Sequence, residues 1–231
     1  IMTQNPFRTD CPFAGGAYMS YPLYVHNLMQ AEAANSRDWI SAEDAFWIPN
    51  YNSPNYLGQF EALLNALAAH INNTSFNGVR YQDVVSYVDI RGYGSWGEWN
   101  MVFAASTPAA YPTGRQPLAS SLIRIIDAHR TAFPNTQLMG MIAAFDGQQL
   151  PNTWVPDEVG HHMLTATNNR GKIGWRRDQW GWTDGYISSY LENNPNSYNG
   201  VDFDTTIMNR WKYAPIMGEG PCGGTAAGGP C

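Results

Sequence analysis

Apolar positions along the chain fall into two alternating rhythms from about residue 54 onward. Phe60, Leu63, Leu64, Leu67 and Ile71 recur at helical spacing behind a Ser53-Pro54 start, which predicts a helix through Gln59 to Ile71. Val84 to Ile90 (VVSYVDI) is short and β-branched, and Gly92 and Gly94 follow it. It reads as a strand buried in a parallel sheet. The alternation then repeats as helix Leu118 to Phe133, strand Gln137 to Phe145, helix Asp157 to Thr167, strand Ile173 to Arg177, short helix Thr205 to Trp211 and strand Ala214 to Gly218. The first fifty residues are weakly periodic and carry turn formers such as Pro6, Gly15, Gly16, Pro22 and Pro49. Apart from a helix expected from about Leu23 to Ala34, they read as a long excursion, and the Gly-rich end from Gly218 to Cys231 reads as a loop.

Strands alternating with helices imply successive βαβ units around a parallel sheet, and either a doubly wound sheet or a barrel satisfies that pattern. Gly92, Gly94 and Gly97 do not have the G-x-G-x-x-G spacing of a dinucleotide fold. Chemistry-bearing residues instead follow several different strands, as in a (β/α)8 TIM barrel. Four strands are evident and Ile1 to Gln4 suggests the end of a fifth, where a barrel needs eight. The expectation is an α/β fold in which this chain, as one catalytic domain, supplies about strands three to seven. The missing barrel strands would come from the rest of a longer chain.

A formal net charge of -6 and scattered basic residues give no field for gathering phosphates, so nucleic acid is not an expected partner. Charged residues make up only 14% of the chain, while Trp (9) and Tyr (13) are plentiful. Flat rings beside amides and hydroxyls suit sugars as well as they suit a core, because a ring stacks on the C–H face of a pyranose. No apolar run is long enough to span a bilayer, and residues 1–6 lack the features of a signal peptide, which on this reading is either removed or upstream. Cys11, Cys222 and Cys231 have no C-x-x-C spacing. A Cys222–Cys231 disulfide and free buried thiols are the two readings.

The most informative stretch is Asp89-Ile90-Arg91-Gly92-Tyr93-Gly94-Ser95-Trp96-Gly97-Glu98-Trp99-Asn100, directly after a strand. Desolvation by Trp96 and Trp99 is expected to favour the protonated form of Glu98, as a general acid requires; a glutamate that caps a turn or pairs with Arg91 is the competing structural reading. Pro215-Ile216-Met217-Gly218-Glu219-Gly220 is a second strand ending in an acid, with glycines that let a substrate approach. Two such carboxyls about 5 Å apart on opposite faces of a sugar suffice for glycoside cleavage with retention, and a wider gap leaves room for the water of inversion. Gly174-Trp175-Arg176-Arg177-Asp178-Gln179-Trp180-Gly181-Trp182 adds candidate sugar contacts. Asp178 with an adjacent arginine, Arg177, can grip hydroxyls or keep Glu219 ionised, and Trp175, Trp180 and Trp182 offer rings, against the alternative of aromatic packing and an internal ion pair. Asp146, after the strand ending at Phe145, and Tyr51 with Asn52 are weaker candidates.

These segments resemble a known group: the clan of retaining barrel glycosidases with the acid/base glutamate after strand four and the nucleophile after strand seven. The resemblance is greatest to bacterial β-galactosidase-like barrel proteins. It runs from Trp47 onward through WIPNYNSPNY, SYVDIRGYGSWGEWN, GWRRDQWG and PIMGEG. It implies Glu98 as acid/base, Glu219 as nucleophile, an oligosaccharide or polysaccharide substrate, possession of no cofactor, and a secreted or periplasmic setting. The clan usually has Asn immediately before the acid/base, where it binds the sugar 2-hydroxyl; here that residue is Gly97, and Asn100 or Arg91 is the candidate for the contact. A non-hydrolytic carbohydrate-binding barrel is the second reading.

Other features carry less. Consecutive His161 and His162 point about a hundred degrees apart on a helix and do not form an H-E-x-x-H metal pair, so no metal is expected. Asn72-Asn73-Thr74 matches the glycosylation pattern, which matters only in a eukaryotic secretory context. Neither G-x-S-x-G nor G-x-x-x-x-G-K-[ST] occurs.

Overall fold

The computed structural model describes residues 19–40, 47–94, 97–99, 111–112, 114–141, 155–177 and 197–218. In chain order its helices are α1 (Leu23–Gln30), α2 (Pro54–Asn73), α3 (Tyr81–Val84), α4 (Ala119–Ala132), α5 (Asp157–Thr165) and α6 (Phe203–Met208). Its strands are β1 (Trp39–Ile40), β2 (Trp47–Ile48), β3 (Ser75–Phe76), β4 (Val79–Arg80), β5 (Tyr87–Ile90), β6 (Gln137–Met141), β7 (Thr167–Asn168), β8 (Gly171–Lys172), β9 (Gly174–Arg177), β10 (Ser197–Tyr198), β11 (Val201–Asp202) and β12 (Ile216–Gly218).

β5, β6, β9 and β12 form one parallel sheet in that order, so each new strand is laid beside the one before it. Right-handed crossovers combined with a monotonic strand order place successive connecting helices on the same face. The helices accordingly pack in sequence, α2 on α4, α4 on α5 and α5 on α6. Val88, Ile90, Leu138, Ile173, Trp175 and Ile216 join this helical layer in the hydrophobic core. Asp89, Met139, Gly174 and Arg176 lie on the opposite face, because paired residues of neighbouring strands share a face and side chains alternate along each strand. Gly174 makes room for its neighbours: a Cβ there would sit 2.3 Å from the Pro215 carbonyl oxygen and 2.6 Å from Met139 Sδ.

The expected elements recur with shifted ends. Ser53 caps α2 by accepting a hydrogen bond from the Tyr56 backbone N–H, with Pro54 in the first turn, as a serine-proline start requires. The expected strand from Val84 begins only at Tyr87, because Tyr81 to Val84 close a single helical turn with Asp83 held by Arg80. The expected helix from Thr205 starts earlier, at Phe203, where the Asp202 side chain accepts from the Thr205 N–H; it ends at Met208, and a 3-10 turn over Arg210–Lys212 follows. β6 is assigned as far as Met141; the remainder of the strand expected to Phe145 and the suggested strand at Ile1 to Gln4 lie outside the described residues, as do all three cysteines.

Several elements had no counterpart in the periodicity. β3–β4 and β10–β11 are two-residue hairpins turning on Asn77-Gly78 and Asn199-Gly200, with positive φ at both central positions, as a type I′ turn demands. Part of the N-terminal excursion is organised around buried Asp38. Its carboxylate accepts from Tyr21 Oη, lies 2.7 Å from His26 Nδ1 and accepts from Gln30 Nε2 at 2.5 Å, which ties α1 to β1. No helix among the described residues is long and apolar enough to cross a membrane.

Candidate active site

All four strands of the sheet run the same way, so Ile90, Met141, Arg177 and Gly218 end at one edge of it. The Gly-rich segment after Ile90 is held there by neutral hydrogen bonds from three directions. Tyr56 Oη on α2 donates to the Gly92 carbonyl at 2.7 Å, the Gly94 N–H donates to Tyr51 Oη at 3.1 Å, and the Arg91 N–H donates to His129 Nε2 on α4 at 3.3 Å. Gly92 has φ 114, and a Cβ at that position would lie 2.4 Å from Phe60 Cζ, so the close approach to α2 calls for glycine. Gly97 has φ 74 and its N–H donates to the Gly94 carbonyl. Gly97 therefore falls in the left-handed region, where glycine sits at least cost.

Trp99 closes the segment from inside the core. It is fully buried, its indole Nε1 donates to the Ile90 carbonyl at 2.8 Å, and its ring meets Tyr93 edge-on. The expected indole sandwich around Glu98 is thus not what surrounds the carboxylate on this side; its close described neighbours are guanidinium groups. Glu98 Oε1 accepts from Arg91 Nη1 at 2.7 Å and lies 3.6 Å from Arg176 Nη2. Asp89 Oδ2 in turn accepts from Arg91 Nε at 2.7 Å and lies 2.9 Å from Arg176 Nε. Two acids and two bases, each with a side chain only 12–22% exposed, form one cluster on the sheet face away from the helices. Burial alone would lower the Arg91 pKa, but Asp89 and Glu98 outweigh it and leave that pKa raised.

The remaining sequence candidates divide by strand alternation. Trp175 is buried on the helix-facing side, with Nε1 donated to the Ile207 carbonyl at 3.3 Å, and Arg177, two residues on, is buried as well. The arginine that reaches Glu98 is Arg176. Asp89 and Arg176 were absent from the sequence candidates, although period-two counting from Arg91 in one strand and from Gly174 in its neighbour singles them out. Tyr51 is buried beneath Gly94, and Asn52 bridges to the Gln116 carbonyl and the Leu118 N–H at the start of α4, so both serve the scaffold. His162 Nε2 lies 2.9 Å from Asp127 Oδ1, while His161 meets the Tyr198 ring. Trp96, Asn100, Asp146, Asp178, Trp180, Trp182 and Glu219 lie outside the described residues. No family model, curated protein or solved structure matches the chain.

His129 is a buried latch whose tautomer follows from its partners. The Ile125 carbonyl, 2.8 Å from Nδ1, can only accept, so Nδ1 carries the hydrogen and Nε2 is the acceptor for Arg91. Burial pushes its pKa down to about 4 from an ordinary 6.5, the Ile125 contact offsetting only part of the effect. Between these values the unfolded chain binds a proton that the folded chain refuses. Stability is therefore full above pH 6.5 and falls as the pH drops toward 4, by up to about 3 kcal/mol. In His129→Gln, which does not titrate, that component should be missing. Denaturant midpoints at pH 7.5 and 4.5 measure it as the difference between the two proteins, and parallel pH dependences would remove His129 as its source.

Proposed function

We propose that the chain forms part of a (β/α)-barrel glycoside hydrolase that cleaves a β-linked glycoside with retention. The observation that supports it most is the strand order. Four parallel strands laid down in sequence present their C-terminal ends together, Glu98 follows the first of them, and Glu219 is the next residue after the last residue of the fourth. Asp146 and the Asp178 to Trp182 stretch come after the second and third strands in the sequence. In this reading Glu98 protonates the departing glycosidic oxygen while the Glu219 carboxylate attacks the anomeric carbon. Water, deprotonated by Glu98, then releases the sugar from Glu219. A galactoside is the first sugar to try, and a secreted or periplasmic setting accompanies that substrate class.

The Arg91–Glu98 pair favours a second reading, a barrel that binds glycans without cutting them, since a charge-assisted bond of this kind engages the ionised carboxylate. Leaving-group dependence separates the two. For Glu98→Gln, kcat/KM on an ordinary glycoside should fall by about 10²- to 10⁴-fold. An aryl glycoside with a strongly activated leaving group should lose far less, because its departure needs little protonation. Equal losses on both substrates would remove Glu98 from the acid role, and a wild type that binds oligosaccharides but releases nothing from a broad panel would establish the second reading.

A further inference from the structure

The last turns of α4 and the β7–β8 hairpin enclose a cavity of about 400 Å3, within the range of small-molecule sites, roughly 300–1,000 Å3. Asp127, Arg130 and Thr131 enter it from one face of the helix, as their spacing of three and four residues requires, and Thr167, Asn168 and Asn169 close it from the hairpin. Pro134, also in its wall, leads into the start of β6, so the cavity lies at the edge of the sheet where strands begin, away from the edge that carries Glu98. Its walls are tied to each other. Arg130 Nε and Nη2 donate to the Thr167 carbonyl at 2.9 and 2.7 Å, and Asn168 Nδ2 donates to the Phe133 and Thr136 carbonyls at 3.0 and 2.8 Å. The Asn169 N–H donates to the Pro134 carbonyl at 2.9 Å.

These bonds determine what the walls can still offer. Asp127 Oδ1 is met by Arg130 Nη1 at 2.5 Å and by His162 Nε2 at 2.9 Å, and both hydrogens of Asn168 Nδ2 are engaged. Asp127 Oδ2, the Thr131 and Thr167 hydroxyls, Asn169 Oδ1 and one hydrogen on each terminal nitrogen of Arg130 remain for an occupant. Acceptors and donors thus alternate, and the charges of Asp127 and Arg130 cancel. An anion there would face Asp127, and a cation would face Arg130. A vicinal diol satisfies both: one hydroxyl donates to Asp127 Oδ2 while its neighbour accepts from the guanidinium group. We propose that this cavity binds a neutral saccharide unit through such a diol, as a non-catalytic site apart from the Glu98 edge. Its hydrogen-bonding groups suffice for this whether or not the chain cleaves glycosides.

The test is an NMR titration of nitrogen-15-labelled protein with the methyl glycosides of galactose, glucose and mannose, repeated on Asn169→Ala, Asp127→Asn and Glu98→Gln. At least one sugar should produce saturable shifts in the backbone amides of Thr131, Thr167, Asn168 and Asn169. Its dissociation constant should rise about ten-fold in Asn169→Ala and in Asp127→Asn, the loss expected for one hydrogen bond in each, and stay unchanged in Glu98→Gln. Asn169 is exposed and Asp127 half-buried, and unchanged amide shifts elsewhere in each spectrum verify that the variants fold. The proposal is overturned if no sugar gives saturable shifts at these amides, or if both cavity variants bind as the wild type does. It is overturned equally if inorganic phosphate or methylammonium produces the same shifts at lower concentration, which would make the site one for ions. Shifts confined to Gly92–Trp99 would remove this cavity and leave the hydrolase reading in place. Binding at the cavity by a protein that hydrolyses nothing would do the reverse.

Discussion

Glu219→Gln is expected to reduce turnover of any glycoside the protein cleaves by on the order of 10³-fold or more, with sugar binding held within a few-fold. The amide keeps the size and shape of the side chain but has no charge with which to attack the anomeric carbon, and no covalent glycosyl intermediate can form. Because the loss lies in the bond-making step, it should appear in kcat and kcat/KM alike, whereas a residue that only binds sugar raises KM. Two measurements decide the matter: steady-state kinetics on aryl glycosides, and mass spectrometry of the protein after reaction with a 2-fluoro glycoside. Wild type should gain the mass of one sugar and the variant should not. Undiminished turnover in the variant would take Glu219 out of the mechanism.

Trp99→Ala should destabilise the protein by about 4 kcal/mol, the range for emptying a large aromatic site in a packed core. The position loses its ring contact with Tyr93 and leaves the Ile90 carbonyl without the indole donor. Trp99 also holds φ at 63, a strained setting for a bulky residue, which persists because packing and the hydrogen bond fix it. Trp99→Phe, which keeps a ring and drops the donor, should cost much less. Urea denaturation of the three proteins tests this ordering. It also separates a packing role from a sugar platform: if alanine raises KM for oligosaccharides and leaves the denaturation midpoint in place, the ring contacts substrate after all.

The outline of the fold was legible because buried parallel strands and amphipathic helices write different periods. Ile90, Leu122 with Ile125 and Ile126, and Val159 with Met163 are core residues that those periods mark out, and Val88 packs against them. Short hairpins write almost no period. Phe76 to Val79 and Tyr198 to Val201 were signalled only by their Asn-Gly turns, a cue readable without any hydrophobic pattern. At the candidate site, composition pointed to the segment around Glu98, and local spacing misjudged what Trp99 meets and which arginine reaches the acid. Trp99 looked like a flank of the acid, but its left-handed backbone turns the ring beneath the strand. Arg177 drew attention beside Asp178, yet alternation sends Arg176 to the face with Asp89, and only the pairing of β9 with β6 reveals that the two meet.

The means by which the Glu98 segment is anchored have a consequence for its response to ionic strength. Its backbone is fastened by Tyr51, Tyr56, His129 and Trp99, none of which carries charge at neutral pH, whereas its acid is engaged by ions. Added electrolyte screens the second kind of contact, an effect damped by the partial burial of these ions, and hardly touches the first. The frame should therefore stay where it is in brine while the grip of the arginines on Glu98 weakens, so that the scaffold and the reactivity of the carboxyl answer separately to the surrounding medium.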